Sequence, residues 1–589
     1  MDAGISAVKV VAREGGGDDA AAAAAAQFAA LENERLSNYL YICLGSVAVA
    51  VITWKIFDVA TKWTRAIVCM NNEYQRYFAR PSPKLAALKQ HVLYASIWKK
   101  RHNREFQLSS AINVGTLPTR FQLLFTLAYL ATNVTFCVIH IDFSAQFGDV
   151  ADILRNRTGV LAVVNMVPLV LFAGRNNPLI PLLGISFDTY NLLHRLFGRI
   201  VVLEALTHVL AFLAGTGWDA AFAAIFQSMF LLWGFVGVVA MVFLSIQAWS
   251  PIRHAYYEVF KVLHIVGAIV AIIGVWYHLE MVQLPQLKYI YGVVALWAGD
   301  RAARLFRLAY NNFGNSGTRT IVEALPGDSV RVSITLARPW RFQAGQHAYL
   351  YMPSISLWQS HPFSVAWADG TDDLASDKLA STIQERRAMQ KMQVSFVIRG
   401  RTGFTNALYK KAAATSTGKL ETKCWVEGPY GAKHPLDSYG TVVLFAGGVG
   451  VTHQVPYVKE LVAGFADGTV ATRRLLLVWT IQSPEHLEWI RPWMTEILSM
   501  DRRRDVLRIM LFVSQPRSSK EIHSPSSTVQ MFPGRPNIST LLSMEQEQQV
   551  GAMAVSVCGP GALSDEVRRV VRQRQSRTSV DFIEEAFSW

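Results

Sequence analysis

The sequence predicts a multi-pass α-helical membrane bundle followed by a small β-barrel domain and a parallel α/β domain. Three observations lead there. Of 589 residues, 51% are apolar and 17% charged, and the apolar excess falls in residues 38–310, in stretches near the roughly 20 residues that a bilayer-crossing helix needs. From residue 318 the pattern changes to short β-like runs, and from 441 to strand–glycine turn–helix alternation, the signature of a parallel sheet. An ordinary soluble enzyme and a disordered protein are both excluded.

In chain order, residues 1–37 hold a glycine-acid patch and an alanine run, Ala20–Ala26, and read as a flexible N-terminal segment, disordered or weakly helical. They lack the short apolar region behind basic residues that marks a cleaved signal peptide. Seven spans are expected, near 38–57, 119–140, 158–174, 187–213, 221–248, 261–283 and 287–306. The first, with the loop after it, forms an additional unit over 38–117; the other six make a bundle over 118–310. Loop 58–104 carries ten Lys/Arg against Asp58 and Glu73, which places it in the cytoplasm. The N-terminus is then outside and the chain beyond Tyr310 inside. Asn156-Arg157-Thr158 reads as an external glycosylation sequon.

The net charge of +14 suits a basic rim on an anionic leaflet. It forms no aromatic-interleaved stripe, so membrane lipid is an expected partner and nucleic acid is not. The five cysteines are too scattered for a disulfide scaffold or a Cys-rich metal site. Barrel strands are expected at Thr320–Glu323, Val330–Leu336, Ala348–Tyr351, Val394–Ile398 and Cys424–Glu427, with 366–393 as a loop and short helix. Further strands follow at Thr441–Phe445, Leu475–Trp479, Ile509–Val513 and Ala554–Cys558.

Four histidines carry the chemistry of the bundle. His194 and His208 lie in the fourth span, His264 and His278 in the sixth, each pair 14 residues apart. Fourteen residues make almost four turns, so each pair shares a helix face about 21 Å apart along the axis. The two helices run the same way, so His194 can face His264 near the cytoplasmic side and His208 can face His278 near the outer side. Two stacked His–His pairs are what two bis-ligated haems need. Zinc is disfavoured because no cysteine or carboxylate completes either pair. Arg195 and Arg199 sit where haem propionates need cations, or where positive-inside anchoring puts them. Glu204, at membrane depth, requires a partner or a role. His91, His102, His140 and His254 lie outside the register and read as ordinary polar groups.

With these histidines and the motifs downstream, the chain resembles the ferric reductase / NADPH oxidase superfamily over residues 117–589, and within it the fungal plasma-membrane ferric-chelate reductases. The resemblance implies a ferredoxin-reductase-like module: an FAD-binding barrel over 311–436 and an NADPH-binding domain over 437–589. It implies that His361-Pro362-Phe363-Ser364, Arg399 and Gly403-Phe404-Thr405 hold FAD. It also implies that Gly447-Gly448-Val449-Gly450-Val451-Thr452 and Cys558-Gly559-Pro560 hold NADPH, and that the terminal Trp589 covers the flavin. The glycine cluster suits this on physical grounds, because its backbone can approach phosphates at a helix N-terminus. A cation for the 2′-phosphate of NADPH is less evident; Thr480-Ile481-Gln482-Ser483 stands where some relatives place an arginine, and Arg517 is a substitute.

The implied activity is electron transfer from cytosolic NADPH through FAD and two haem b to an external ferric chelate or siderophore, or to cupric ion. The implied setting is the plasma membrane, with the vacuolar membrane as the alternative address and an iron-uptake permease or oxidase as partner. The competing reading is an NADPH oxidase making superoxide. Phe212, standing where oxidase relatives have a second outer histidine, the spacing of the second histidine pair, and the additional first span argue against it. A haem sensor without catalysis would be expected to lose the glycine turn or terminal aromatic, and both are present. The external acids Asp142, Asp149, Asp152 and Asp219 read as solvated loop residues rather than a metal site.

Overall fold

The computed structural model describes residues 18–70, 72, 75–98, 100–101, 117–255, 257–314, 317–340, 342–357, 359–371, 391–431, 434–516, 518, 524 and 526–585. Seven long helices come first: α1 (Asp18–Cys69), α2 (Arg120–Val138), α3 (Phe147–Ala173), α4 (Phe187–Thr216), α5 (Met229–Gln247), α6 (Tyr257–Glu280) and α7 (Leu287–Asn312). The first six contain stretches long and apolar enough to cross a membrane.

Several expectations change at this level. Residues 18–37 are helical and continuous with the first span, so of the N-terminal segment only 1–17 lie outside the described residues. Alanine is the best helix former, and Glu32, Asn33, Leu36 and Ser37 are buried. The third span, expected as 158–174, is a 27-residue helix and the most enclosed of the six. The fifth, expected as 221–248, is broken at Ser228, whose φ of −117° and ψ of 117° are extended. The ten residues before the break, Trp218–Gln227, form their own helix and bury Ala221 and Ile225 against Leu213. That leaves the 19 residues of α5, close to the length a crossing requires. The seventh forms as a 26-residue helix but carries Lys288, Asp300, Arg301, Arg304 and Arg307 and falls outside the apolar class. The sequon lies in helix α3 rather than in a loop, with the Thr158 hydroxyl donating to the Leu154 carbonyl at 2.8 Å.

Two local devices hold the bundle in register. Thr119 and Gln122 close a reciprocal capping box at the start of α2. In α3, Pro168 has no N–H for the Val164 carbonyl, and the Tyr41 hydroxyl of α1 donates to that carbonyl at 3.3 Å.

The barrel comprises β1 (Arg319–Leu325), β2 (Ser329–Thr335), β3 (His347–Tyr351), β4 (Ser360–Ser364), β5 (Trp367–Thr371), β6 (Lys391–Arg399), β7 (Lys419–Thr422) and β8 (Trp425–Tyr430). They form a five-stranded sheet ordered β5-β6-β2-β1-β7 and a three-stranded sheet ordered β4-β3-β8. Helix α8 (Gly403–Ala413) closes one side. The start of the expected loop 366–393 is strand β5, because Trp367 is buried and pairs along β6.

The α/β domain has six strands: β9 (Thr441–Gly447), β10 (Arg474–Ile481), β11 (Leu507–Val513), β12 (Val529–Pro533), β13 (Met553–Cys558) and β14 (Val580–Glu585). All pairings are parallel, in the order β12-β11-β10-β9-β13-β14. The order reverses between β9 and β13, the switch point outside whose strand ends open α/β sheets bind ligands.

Candidate functional site: a line of motifs from the nucleotide fold to the outer histidines

At the switch point the two nucleotide motifs meet. Strand β9 ends at Gly447, a single turn covers Gly448–Gly450, and helix α9 begins at Val451. Gly448 has φ +55°, and its carbonyl is fixed by the Trp479 indole N–H at 2.9 Å. The turn packs so tightly against Cys558–Pro560 that a Cβ on Gly450 would collide with the Cys558 carbonyl, and one on Gly447 with Pro560. Cys558 is buried and burial pushes its thiol up, so it is a neutral packing group. The Thr452 hydroxyl is used locally, donating to the Val449 carbonyl at 2.8 Å.

His361-Pro362-Phe363-Ser364 forms strand β4, paired antiparallel with β3. The His361 ring stacks on Phe404, centres 4.8 Å apart. Burial, with Lys261 and Arg175 nearby, lowers His361 to about 4, so it is neutral near pH 7. Phe404 is itself buried, at 4% exposure, and supports this ring from below. Gly403 has φ +56°, and Thr405 closes the turn by accepting from the Arg401 N–H at 3.1 Å. Arg399, at the end of β6, donates to Gln482 at 3.2 Å and so bridges barrel and nucleotide domain. Gln482 is thereby occupied. Arg517 and Trp589 lie outside the described residues.

The barrel is keyed to the bundle. Arg304 of α7 makes a two-pronged bond to Glu427 of β8, at 2.9 and 3.1 Å. Burial would raise the Glu427 carboxyl, but Arg304 and then Arg175 outweigh it and hold it below the usual range. Asn311 and Asn312 donate to the carbonyls of Gly428 and Val426. The flavin motif therefore sits under α6: His361 Nε2 is 4.0 Å from Glu258 Oε1 in its first turn. Six residues along α6, about 9 Å up its axis, is His264.

Within the bundle the expected pairs form. The ring centres of His194 and His264 are 6.1 Å apart, and those of His208 and His278 are 6.2 Å apart. With metal–nitrogen bonds of about 2 Å, two imidazoles on opposite sides of one ion have centres about 6 Å apart. The outward nitrogens are engaged. Nδ1 of His194 and of His208 meet the Leu169 and Arg155 carbonyls of α3, at 3.0 and 2.8 Å. Nδ1 of His278 meets the Phe230 carbonyl of α5 at 2.9 Å, and Nδ1 of His264 meets the Gln247 amide at 3.2 Å. The three carbonyls accept from Nδ1–H and so leave Nε2 to bind metal; the Gln247 amide does the same for His264 only with its oxygen, otherwise buried without a partner, turned to the ring. Among the described residues no group of three or more His, Cys, Asp or Glu could hold a metal ion, so the pairs fit an ion whose remaining ligands come from a macrocycle.

Room for the outer pair comes from two glycines that composition alone does not single out. A Cβ on Gly159 would lie 2.6 Å from His208 Nδ1, and one on Gly234 2.7 Å from His278 Nδ1. Each follows by four residues the carbonyl that its histidine engages. Arg195 and Arg199 are joined by Arg253, near enough to repel one another, and Arg253 also acts on His264. The partner of Glu204, not identifiable from sequence, is Asn165: its amide donates to both carboxylate oxygens, at 3.2 and 2.9 Å. Asn165 in turn bonds Asn133 and Tyr129. Phe212 packs with the small apolar cluster of Leu213, Ala221 and Ile225.

Known families match all three regions. The ferric reductase like transmembrane component matches residues 158–275, the FAD-binding domain 315–434 and the ferric reductase NAD binding domain 439–572. The chain belongs to the ferric reductase superfamily, fungal type. Among its relatives is ferric reductase transmembrane component 3 of Saccharomyces cerevisiae, 26% identical over 545 residues, covering 85% of this chain and 71% of the relative. Ferric/cupric reductase transmembrane component 1 of Candida albicans is 25% identical, covering 85% and 67%. The probable cell surface ferric reductase kap2 of Aspergillus oryzae is 28% identical over 352 residues, covering 57% and 44%. An FAD-binding and a pyridine-nucleotide-binding domain thus follow the membrane component in this superfamily member.

Proposed function

We propose that this chain is a transmembrane ferric-chelate reductase that takes electrons from cytosolic NADPH and delivers them to an external ferric chelate or siderophore, with cupric ion as a second acceptor. FAD and two haem b are its resident groups. One NADPH gives NADP⁺, a proton and two electrons, enough to turn two Fe(III) into two Fe(II). The observation that carries this reading is the succession of motifs through neighbouring elements: the switch-point turns, joined to the barrel by Arg399 and Gln482, β4 beside the first turn of α6, and the two facing histidine pairs of the bundle.

FAD, when bound, splits a hydride into single electrons, and the haems bridge a hydrocarbon core of about 30 Å. The chain's own residues hold and insulate. His194 with His264, and His208 with His278, would hold the two haem irons, each ring held by a neighbouring helix. Arg195, Arg199 and Arg253 would offset the inner propionates. His361–Ser364, Arg399 and Gly403–Thr405 would hold FAD, and Gly447–Thr452 with Cys558–Pro560 would hold NADPH. Trp589 would cover the flavin face until nicotinamide arrives.

Parity supports seven crossings, with α7 among them. The residues after α1 and those ending α7 both bond the dehydrogenase module, so an even number of crossings separates them; α2–α6 supply five. Helix α7 runs from Leu287 and Ile290, buried with Leu279 at one end of α6, to Asp300, which accepts from the Asn176 N–H beyond the other end of α3. With the basic loop inside, the N-terminus is external, the module cytosolic and the acceptor outside, at the plasma membrane.

The test is NADPH-driven Fe(II) formation from ferric citrate by membranes holding the protein, with and without oxygen and superoxide dismutase. Persistence without oxygen and indifference to the dismutase are expected. Loss under either condition transfers the assignment to a superoxide-producing oxidase.

A further inference from the structure

The end of α1 and the loop after it, read from sequence as cytoplasmic, are engaged with the nucleotide domain. Arg65 donates to the Ser438 hydroxyl at 2.9 Å and lies 3.9 Å over the Tyr439 ring. Lys89 pairs with Asp581 at 2.5 Å, and Arg101 with Glu584 at 2.7 Å. The Arg101 backbone N–H also donates to Asp565 at 3.0 Å. The chain between these cations adds backbone bonds: the Ser579 N–H donates to the Ala79 carbonyl at 3.0 Å, and the Phe582 N–H to the Tyr94 hydroxyl at 3.3 Å. Gln75 donates to the Ala471 carbonyl at 2.6 Å, in a slot that a Cβ on Gly440 or Gly551 would close.

Three of these contacts, from Lys89, Tyr94 and Arg101, fall on β14, the edge strand of the sheet, and the bond to Ser579 lies directly before it. An edge strand has one row of backbone groups without a strand partner, and here the loop supplies partners. The same loop is fastened to the bundle, since the Arg120 N–H at the start of α2 donates to the Ala95 carbonyl at 2.8 Å. At its far end β14 places Glu584 and Glu585 opposite Val557 and Cys558, directly before the Cys558–Pro560 turn.

We propose that residues 65–101 are a strap that fixes β14 against β13 and thereby positions the Cys558–Pro560 turn, so that this N-terminal segment sets the affinity of the nucleotide site. The proposal rests on the reading of that turn as part of the NADPH site. Burial would raise the Asp581 carboxyl, but Lys89, Tyr439 and Arg65 bring it down to about 2, so this ion pair is intact throughout the physiological range.

The experiment uses the full chain in lipid nanodiscs, comparing wild type with Lys89→Gln/Arg101→Gln, and reads two quantities. Amide exchange over residues 580–585 should quicken at least about fivefold while β9 and β10 are unchanged. KM for NADPH, with ferricyanide as acceptor, should rise about tenfold with kcat nearly constant. The charge-preserving Lys89→Arg/Arg101→Lys should restore both. Tyr94→Phe, which keeps the ring and removes one bond, is the milder variant and should give the same pattern at about twofold. Unchanged exchange would overturn the strap, and faster exchange with unchanged KM would overturn its influence on the nucleotide. A wild type that fails to oxidise NADPH would refute the underlying reading, while the exchange measurement would still decide whether the strap holds β14.

Discussion

Histidines are enclosed in two kinds of setting among the described residues, half-buried in the bundle and buried beside the nucleotide domain, and the two are built differently. In the bundle all four imidazoles have Nδ1 engaged by a neighbouring helix and a second imidazole across a gap of 6.1 or 6.2 Å. Between barrel and nucleotide domain, His453 is 2% exposed, and neither ring nitrogen has a hydrogen-bond partner among the described residues. It is packed beside Tyr457, ring centres 5.6 Å apart. Burial alone therefore does not mark a ligand. An oriented outward nitrogen and a facing partner do.

The two bundle pairs also differ from each other. The outer pair is oriented by backbone carbonyls on both sides, whereas inner His264 relies on the side chain of Gln247. The largest effect that would break the comparison is His208→Ala. It should abolish iron reduction and remove about half of the haem absorbance while NADPH still reduces the flavin; an unchanged iron rate would refute the outer-site assignment. Gly159→Ala and Gly234→Ala come next. Their Cβ atoms enter imidazole space, so outer haem should be lost or its spectrum changed with the inner haem intact, as read by redox titration. Gln247→Leu should be milder, lowering inner-haem retention by about 10–100-fold, and no change would mean that packing against Phe260 suffices to orient His264.

The smallest effect concerns the other class of histidine. Burial, then Arg175, brings His347 down to about 4; burial, then His434 and His347, brings His453 down to about 3. Between their ordinary value near 6.5 and about pH 4 the unfolded chain binds protons that the folded one refuses. Stability should therefore fall as pH drops across that window, by at most about 1.4 kcal/mol per pH unit per histidine. Thermal unfolding of the dehydrogenase domains at pH 7, 6 and 5 measures the slope, and His453→Gln should flatten it.

What could be read from the sequence follows from periodicity. The histidine pairs were legible because 14 residues nearly close four helical turns, and the glycine turn because a strand and helix flank it. The orienting carbonyls of Arg155, Leu169 and Phe230 were not, since a carbonyl belongs to every residue and only packing chooses among them. Gly159 and Gly234 carried a signal, four residues past those carbonyls, that is readable only once the partner helices are known. Strands β12 and β14 escaped because short edge-side strands lack a distinctive pattern, and Asn165 escaped as the partner of Glu204 because it lies 39 residues away. Strand β4 over His361–Ser364 was not among the expected strands, and a proline within so short a run carries no strand signal.

The bond from Tyr41 to the Val164 carbonyl bears on how small a working version of this protein could be. Helix α3 presents both carbonyls that orient His194 and His208, and Pro168 lies one residue from the inner of them. A polypeptide beginning at residue 118 would keep all four paired histidines of the bundle yet leave one peptide oxygen facing hydrocarbon, a cost of roughly 1–3 kcal/mol. The leading helix thus belongs to the electron-carrying core, and trimming it should loosen α3 before any ligand is touched.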